Sequence, residues 1–379
     1  MSAPESYGGL ALGIVGVGTR DTGTARGEQL ARVLAQAGGH VVAFCDLDEG
    51  LARRAAAAFP GARSYGDLDD LLDAGVDGAV ICTPVGCHVD HAARCLARGV
   101  HVLSEVPAAD TLEGARRLVD AAERSDARYM LAENYCYYDE VELVKRMVAA
   151  GRFGDLYFAE GAYVLDWKRM WRGPDGALTW RGRGFASVYC THALGPILYW
   201  LDDRIAAISC LANPASVYDA EVDWSGNHVM LMRTAAGRTV LLRVDTISSR
   251  PADTHFALQG SRGAYVSGEQ FRSAGKSVVW LADEHARGAW QPIRDYAARY
   301  MPERADELRR MHSHGRRSGR GYRDYRMAQD FLTTLRTGAP PRIDVHAAMD
   351  YTLPGIVAEE SARQGGAVLP VPDSREWAR

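Results

Sequence analysis

Lysine is scarce in this chain of 379 residues, which contains only Lys145, Lys168 and Lys276 although lysine and arginine together number 44. The scarcity leaves few candidates for a lysine that acts as a general base. The chain also lacks a strong charge of either sign, since its formal net charge is −4. We therefore expect neither nucleic acid nor a membrane surface among its partners.

Long hydrophobic runs are absent as well. No apolar stretch approaches the ~20 residues of a membrane-spanning helix, and the beginning, "MSAPESYGGLALGIVGVG", lacks the basic segment of a signal peptide. The seven cysteines are odd in number and show no disulfide-framework spacing. These features predict a cytoplasmic protein with reduced cysteines.

One group of potential metal ligands is crowded into a short segment: Cys82, Cys87, His88, His91 and Cys95. Their spacing does not match the closely paired cysteines of zinc sites, and the segment passes from a strand into a helix, which scatters the side chains. The sequence therefore predicts no metal site.

Hydrophobic residues make up 47% of the chain and charged residues 24%, which is typical of a globular protein. The length predicts two domains, and we place their boundary between residues 133 and 134. In the first domain, 1–133, short apolar strands alternate with segments whose apolar residues recur at helical spacing. This alternation predicts a Rossmann domain with a doubly wound parallel sheet. The predicted strands are 10–17, 40–46, 76–83, 100–105 and 128–133.

The turn after the first strand contains a Gly-x-Gly pattern at Gly16 and Gly18. Such a turn before a helix lets backbone amides approach a pyrophosphate, so we expect Gly16, Gly18, Thr19 and Arg20 to bind a dinucleotide. The third glycine of the usual pattern is out of register, because Asp21 stands at its position. A tight turn without a ligand is the alternative interpretation.

Asp46 ends the second predicted strand, where a carboxylate accepts hydrogen bonds from ribose hydroxyls and repels a 2′-phosphate. This position favours NAD over NADP, although an aspartate there can also cap the next helix. Further cofactor contacts are expected after later strands of the sheet, at Thr83, Pro84, His88, Glu105 and Asn134. The alternative role for Glu105 is that of an acidic residue at a helix N-terminus.

After residue 134 the pattern changes to longer, partly alternating strands joined by turns. These predict an α+β domain, 134–379, with a large antiparallel sheet that binds substrate and mediates oligomerisation. The strands are expected at 156–167, 205–212, 227–234, 238–246 and 253–261, with helices near 323–336 and 345–363.

Two motifs carry a family resemblance. Glu105-Val106-Pro107 follows the fifth strand, and His192 ends the segment Val188–His192 before an apolar helix. With the two-domain pattern, these motifs resemble the glucose-fructose oxidoreductase/inositol dehydrogenase (Gfo/Idh/MocA) family. That family has Glu-Lys-Pro, whose lysine assists proton transfer, and Asp-x-Gly-x-His. Here valine replaces the lysine, and Val188 and Cys190 replace the aspartate and glycine.

Both departures are similar to one branch of the family. The segments "SEVPAA", "AENYCY" and "YCTHALGP" resemble NAD-dependent α-N-acetylgalactosaminidases. The resemblance implies tightly held NAD, a transient oxidation that acidifies a neighbouring C–H, elimination of the glycosidic bond, addition of water and return of the hydride.

His192 is the expected catalytic residue. An alcohol that is oxidised needs a base, and with no lysine at 106 a histidine of ordinary pKa ~6.5 is the natural substitute. Tyr189 lies three residues earlier and shares its face on a helical turn, so it is predicted to relay or donate a proton. A histidine bonded to backbone at a helix start is the alternative interpretation.

Several other side chains are candidates for substrate binding. Asp166 and Lys168 would lie on one side of the same strand, either as a sugar-binding wall or as an exposed ion pair. Trp180, which precedes Arg181, either helps to clamp the substrate or is part of the hydrophobic core. The complete set is Tyr135, Tyr163, Asp166, Lys168, Trp180 and Arg181.

Together these features predict an NAD-dependent oxidoreductase acting on a secondary hydroxyl or ketone of a sugar, cyclitol or sugar-derived metabolite. The alternative is a redox-neutral glycosidase or epimerase that uses tightly bound NAD. A third possibility, a nucleotide-binding protein without catalysis, conflicts with the retained His192 and Tyr189. We expect a homodimer or homotetramer.

Overall fold

The computed structural model describes residues 9–18, 25–184, 186–268, 277–284, 286, 288–304 and 320–377. Thr19 and Arg20, which were predicted to bind the cofactor, lie outside the described residues. The chain builds two sheets, one in each half of the sequence.

The first sheet has six parallel strands in the order β3-β2-β1-β4-β5-β6, which confirms the predicted doubly wound arrangement. The sequence missed β3, because a three-residue, partly exposed edge strand carries no readable periodicity. The strands are β1 Ala11–Val15, β2 His40–Cys45, β3 Arg63–Tyr65, β4 Gly78–Ile81, β5 His101–Ser104 and β6 Tyr129–Leu131.

Five helices connect these strands: α1 Arg26–Gln36, α2 Glu49–Ala56, α3 Leu68–Asp73, α4 His88–Ala97 and α5 Leu112–Glu123. Helix α5 begins where the Thr111 side chain accepts a hydrogen bond from the Gly114 amide. Because α5 starts only at Leu112, Glu105 is not at a helix N-terminus, and that alternative interpretation was wrong.

The second sheet has nine strands in the order β14-β13-β12-β11-β7-β10-β9-β8-β15. It is mostly antiparallel, as expected, but β10 runs parallel to β7, so the sheet is mixed. The strands are β7 Leu156–Val164, β8 Ile205–Pro214, β9 Ser225–Thr234, β10 Thr239–Asp245, β11 Asp253–Gly260, β12 Gly263–Val266, β13 Val278–Leu281, β14 Gln291–Pro292 and β15 Leu369–Pro370.

Strand β9 shows the alternation that the sequence predicted for this domain. Met230 and Met232 are buried against the helical side of the sheet, whereas Val229 and Leu231 are exposed on the other side. The described helices of this half are α6 Asp139–Ala149, α7 Thr191–Leu201, α8 Ala297–Tyr300, α9 Arg320–Thr337 and α10 Val345–Arg363. None of the described helices is both long and apolar enough to cross a membrane.

Helix α9 returns from the second half of the chain to pack on α1 of the first half. The segment before α10 also joins the first sheet, because the Leu131 amide donates to the Ile343 carbonyl over 3.0 Å. Both contacts bring residues from the C-terminal part of the chain to the first domain. The carboxyl edge of its parallel strands is where doubly wound folds bind ligands.

Candidate active site

A cavity of about 590 Å³ lies where the carboxyl edge of the first sheet meets the second sheet. Of the predicted site residues, Gly16, Asp46 and Lys168 do not line it. The predicted residues that do are Gly18, Thr83, Pro84, His88, Glu105, Asn134, Tyr135, Tyr163, Asp166, Trp180, Arg181, Tyr189 and His192. The tertiary structure thus brings thirteen of the predicted residues to one cavity.

The glycine-rich turn is closely packed against the residues that follow the neighbouring strand β4 and against helix α1. Gly16 has φ +84°, and a Cβ atom there would lie 2.8 Å from the backbone carbon of Cys82. A Cβ atom on Gly27 would lie 2.1 Å from the Gly16 carbonyl oxygen. Gly27 therefore supplies the close contact between helix and strand that the third glycine of a dinucleotide-binding turn provides, at a spacing the sequence pattern did not anticipate.

Asp46 faces this turn. Its Oδ2 atom accepts a hydrogen bond from the Val17 amide over 2.9 Å, and its Oδ1 atom accepts one from the Asp48 amide over 3.0 Å. The cap of helix α2 is Asp48, whose side chain accepts from the Leu51 amide. The alternative role of Asp46 as that cap is therefore excluded.

His88 joins two turns at the edge of the first sheet. One ring nitrogen lies 2.8 Å from the Thr83 carbonyl and the other lies 2.8 Å from the Pro107 carbonyl. The Thr83 hydroxyl lies 3.1 Å from a ring nitrogen of His91. The buried His88 ring thereby holds the Thr83-Pro84 turn beside the Glu105–Pro107 segment.

Arg26 is a cavity residue that sequence reasoning missed. At the start of α1, it donates from Nε to Glu105 over 2.6 Å and from Nη1 to Asp324 of α9 over 2.6 Å. Burial lowers the pKa of Arg26, but the two carboxylates outweigh burial and raise it. Asn134 donates to the same Asp324 over 2.7 Å, while its own Oδ1 has no partner among the described residues.

His192, which is partly exposed, forms a pair with Glu133, the second important residue that the sequence analysis missed. Nδ1 of His192 lies 2.9 Å from Oε1 of Glu133, whose side chain is fully buried. Burial lowers the pKa of His192, but the charge and hydrogen bond of Glu133 outweigh it, so that pKa is raised above its ordinary value. The signal was present, because Glu133 lies in the quoted segment "AENYCY".

Aromatic rings enclose the imidazole of His192. The ring centroids of Tyr135 and Tyr163 lie 4.5 and 4.8 Å from it. Arg323 of α9 places its guanidinium 4.4 Å from the Tyr135 centroid. Because Nδ1 is held by Glu133, the opposite Nε2, which has no hydrogen-bond partner among the described residues, is the nitrogen available to a ligand.

Tyr189 contacts both the histidine and an arginine. Its ring centroid lies 6.3 Å from that of His192, and its hydroxyl accepts a hydrogen bond from Arg181 over 3.3 Å. Burial raises the pKa of Tyr189 although Arg181 lowers it. The Arg181 guanidinium lies 4.0 Å from the centroid of the Trp180 ring, which is a cation–π contact. Both residues line the cavity.

Asp166 and Lys168 do not share a strand as predicted, because β7 ends at Val164. They do form an ion pair, with Nζ of Lys168 3.1 Å from Oδ1 of Asp166, and Nζ also donates to the Ile247 carbonyl. Of the two, only Asp166 lines the cavity.

The described residues contain no group of three or more His, Cys, Asp or Glu side chains suited to hold a metal ion. The turn at Gly16 and Gly27, the acceptor Oδ1 of Asn134 and the position of Asp46 do suit a dinucleotide. The fold and the glycine turn together define a protein with a Rossmann domain suited to a dinucleotide.

Comparisons with known proteins identify the family. Residues 10–133 match the model for the oxidoreductase family, NAD-binding Rossmann fold, and residues 137–378 match the glycosyl hydrolase 109 C-terminal domain. The chain belongs to the glycosyl hydrolase 109 family, and its first domain is a Gfo/Idh/MocA NAD-binding domain. This confirms the resemblance seen in the motifs.

The relatives agree with this assignment. A glycosyl hydrolase family 109 protein of Saccharopolyspora erythraea is 29% identical, over 97% of this chain and 84% of its own length. The fold is similar to levoglucosan dehydrogenase in complex with NADH and levoglucosan (TM-score 0.79, 20% identity, 96% of this chain and 99% of that one). It is also similar to an inositol dehydrogenase homolog of Azotobacter vinelandii (TM-score 0.72, 18% identity, 96% and 97%).

Proposed function

We propose that this protein oxidises or reduces a secondary hydroxyl or ketone on a sugar, a cyclitol or a sugar-derived metabolite with NAD. The observation that carries the proposal is the Glu133–His192 pair, in which Nε2 of His192 is available to a ligand in a cavity that Gly18 of the glycine turn also lines. NAD, when bound, supplies the hydride acceptor or donor.

The chain's own residues handle the proton in this proposal. Glu133 accepts a hydrogen bond from Nδ1–H and so leaves Nε2 of His192 as the base that takes the proton of the substrate hydroxyl. Tyr189, with its hydroxyl oriented by Arg181, hydrogen-bonds the same substrate oxygen. Tyr135 and Tyr163 pack the imidazole and exclude water.

The remaining predicted residues have proposed roles in binding. Gly16, Gly18 and Asp46 would hold the dinucleotide, and Thr83, Pro84, His88, Glu105 and Asn134 would border it. Their support is the packing of the turn and the unpartnered Oδ1 of Asn134. Tyr135, Tyr163, Asp166, Lys168, Trp180 and Arg181 would surround the substrate, with Lys168 acting through its ion pair to Asp166.

A redox-neutral reaction on a glycoside or on a sugar that is epimerised is the second candidate, in which bound NAD would supply a hydride acceptor that is restored within each turnover. Two observations favour it. Residues 137–378 match a glycosyl hydrolase 109 domain, and Val106 offers no proton-transferring group at the position where Gfo/Idh/MocA dehydrogenases have lysine.

Cofactor stoichiometry distinguishes the two candidates. The purified protein is denatured to assay any released cofactor, and native protein is incubated with free sugars and with glycosides while reduced nicotinamide absorbance and product are followed. One NADH formed per product supports the net oxidoreductase. Product without net NADH, with deuterium taken up from deuterated water beside the reacting carbon, would establish the redox-neutral reaction instead.

We further propose a homo-oligomer, a dimer or a tetramer, that assembles through the open face of the second sheet. Leu211, Val229 and Leu231 are exposed on neighbouring strands of that face, with Leu211 paired to Val229 in register. Contiguous exposed apolar side chains are typical of subunit interfaces.

The division of the chain into domains 1–133 and 134–379 remains a proposal, and the end of β6 at Leu131 supports it. We also propose a cytoplasmic location. Its support is that all seven cysteines are free, as a reducing compartment maintains them.

A further inference from the structure

A short hairpin, residues 171–179, adjoins the cavity and lies outside both sheets. Its two arms meet at an isolated bridge between Arg172 and Leu178. Met170, directly before the hairpin, and Trp180, directly after it, both line the cavity. The position of the hairpin therefore decides where these two side chains of the cavity wall stand.

Hydrogen bonds couple the two arms of the hairpin. The Thr179 amide donates to the Trp171 carbonyl over 2.8 Å, and the Thr179 hydroxyl donates to the Met170 carbonyl over 2.5 Å. The residue before Trp180 is thus bound to the backbone beside Met170. A displacement of one arm consequently moves the other arm as well.

Arg172 fastens the hairpin to the neighbouring loop 215–224. Its Nε and Nη2 atoms donate to the two carboxylate oxygens of Asp219 over 2.8 and 2.9 Å, and Nη2 also donates to Glu221 over 2.8 Å. Nη1 donates to the Gly176 carbonyl over 2.8 Å, so every nitrogen of the guanidinium is used. The hydrogen bond from Arg172 lowers the pKa of Asp219, which keeps this carboxylate charged near neutral pH.

A second contact joins the hairpin to the same loop. The buried ring of Trp171 lies 5.6 Å from the ring of Trp224, whose Nε1 donates to the Gly182 carbonyl over 3.1 Å. The tip of the hairpin, 174–177, is exposed to solvent. Few packing contacts at the tip oppose a displacement, so the clasp of Arg172 on Asp219 matters for the position of the hairpin.

We infer that Arg172 is a positioning residue for the substrate, because its bidentate clasp on Asp219 holds Met170 and Trp180 in the wall of the cavity that contains His192. A planar guanidinium that binds both carboxylate oxygens fixes direction as well as distance, which a point charge does not. Loss of the clasp opens this wall and weakens substrate binding. The inference rests on the proposed function, because it takes this cavity as the substrate site.

Access to the imidazole tests the position of the wall without a substrate. The full chain is treated with diethyl pyrocarbonate, and modification of His192 is followed by mass spectrometry. Arg172→Gln should raise its rate by ~tenfold, since the fraction of molecules with the wall in place falls. Arg172→Lys keeps the charge but not the bidentate geometry, so it should restore only part of the protection.

The chain offers a matched control. Arg152 also binds both carboxylate oxygens of one aspartate, Asp283, over 3.0 and 3.0 Å, contacts Glu284 and does not line the cavity. Arg152→Gln should therefore leave the modification of His192 unchanged. Circular dichroism confirms that each variant is folded.

Kinetics measure the consequence for the substrate. Glucose and myo-inositol are assayed for NAD-linked oxidation, and 4-nitrophenyl N-acetyl-α-galactosaminide is assayed for hydrolysis. For each compound that is turned over, Arg172→Gln should raise KM by ~tenfold with kcat nearly unchanged, because the population competent to bind is reduced. The affinity for NADH, measured by fluorescence titration, should stay that of the wild type.

The two readouts separate this inference from the proposed function. If no compound is turned over but His192 becomes accessible in Arg172→Gln and not in Arg152→Gln, the clasp is supported and the proposed function fails. Asp219→Asn removes the other side of the clasp and should give the same result if Arg172→Gln does not fold. Unchanged access to His192, an equal increase in Arg152→Gln, or a loss of NADH affinity with KM unchanged would overturn the inference.

Discussion

At the scale of single residues, the proposed chemistry depends on the contact between His192 and Glu133. The carboxylate fixes which ring nitrogen faces the cavity and opposes the effect of burial on the pKa of the imidazole. A lysine at position 106 is therefore not needed for a base to be present, and Val106 is buried among the cavity residues.

Replacement of His192 tests its role directly. His192→Ala should reduce turnover by a factor of ~10² or more, because it removes the base, whereas Tyr189→Phe should cost less, since the imidazole remains. Steady-state kinetics with circular dichroism to check folding measure both. His255→Ala, outside the cavity lining, is the control. Unchanged turnover in His192→Ala would remove this residue from the mechanism.

Glu133→Gln tests the positioning role through pH. In the oxidation direction His192 must be neutral, so wild-type kcat/KM should fall as pH drops through a pKa that lies above the ordinary value for histidine. Without the carboxylate, burial is unopposed and the pKa of His192 falls, so the acidic limb should move to lower pH while kcat also decreases. A limb that stays in place would show that Glu133 acts only on the structure.

The proposed preference for NAD over NADP depends on a similarly local feature, the carboxylate of Asp46. Its carboxylate should make NAD bind at least ~tenfold tighter than NADP, about 1.4 kcal/mol, and Asp46→Ala should reduce that ratio. Asp48→Asn retains a side chain that can cap α2 and should keep the preference. Calorimetric titration of both cofactors measures it, and equal affinities in the wild type would refute the role of Asp46.

At the scale of secondary-structure elements, the proposed dinucleotide site depends on the close approach of α1 to the glycine turn. A methyl group at position 27 would lie 2.1 Å from the Gly16 carbonyl oxygen, so the helix and the turn must separate. Overpacking of this kind costs ~1–3 kcal/mol.

Gly27→Ala should therefore lower the melting temperature and weaken NAD binding together. Gly66→Ala is the matched control, because its added Cβ would meet only the Glu49 side chain at 3.6 Å. Differential scanning calorimetry and NADH fluorescence titration measure the two effects. Normal NAD affinity in Gly27→Ala would contradict the proposed turn.

At the scale of the whole molecule, the open face of the second sheet carries the proposal of a homo-oligomer. Leu231 is 56% exposed at this face, and a charge there would have to be buried in an interface between copies. Its neighbours Val229 and Leu211 extend the same apolar surface.

Leu231→Glu should dissociate the assembly, which analytical ultracentrifugation of wild type and variant can measure. Leu112→Glu, at an exposed leucine in the first turn of α5, should leave the mass unchanged. A monomeric wild type at micromolar concentration, or a variant that keeps the wild-type mass, would argue against this interface.

The sequence by itself determined the alternation of strands and helices in the first domain, the glycine turn and the identities of His192 and Tyr189 as candidates. Hydrophobic periodicity and turn residues are local signals, so a linear pattern carries them. The sequence did not predict strand β3, because three residues are too few to show a periodic pattern. It did not predict the parallel pairing of β7 with β10 either, because the direction of strand pairing is not a local property.

Only the tertiary structure decided which charges meet. Glu133 lies 59 positions from His192, and Asp324 lies 298 positions from Arg26, yet both contacts are hydrogen bonds in the cavity. The same packing made Gly27 the closely packed glycine and placed Arg181 beside Tyr189 and Arg323 beside Tyr135. Interactions between charges depend on their separation and burial in the folded chain. The spacing of residues along the sequence does not encode either quantity, so these partners could not be predicted from it.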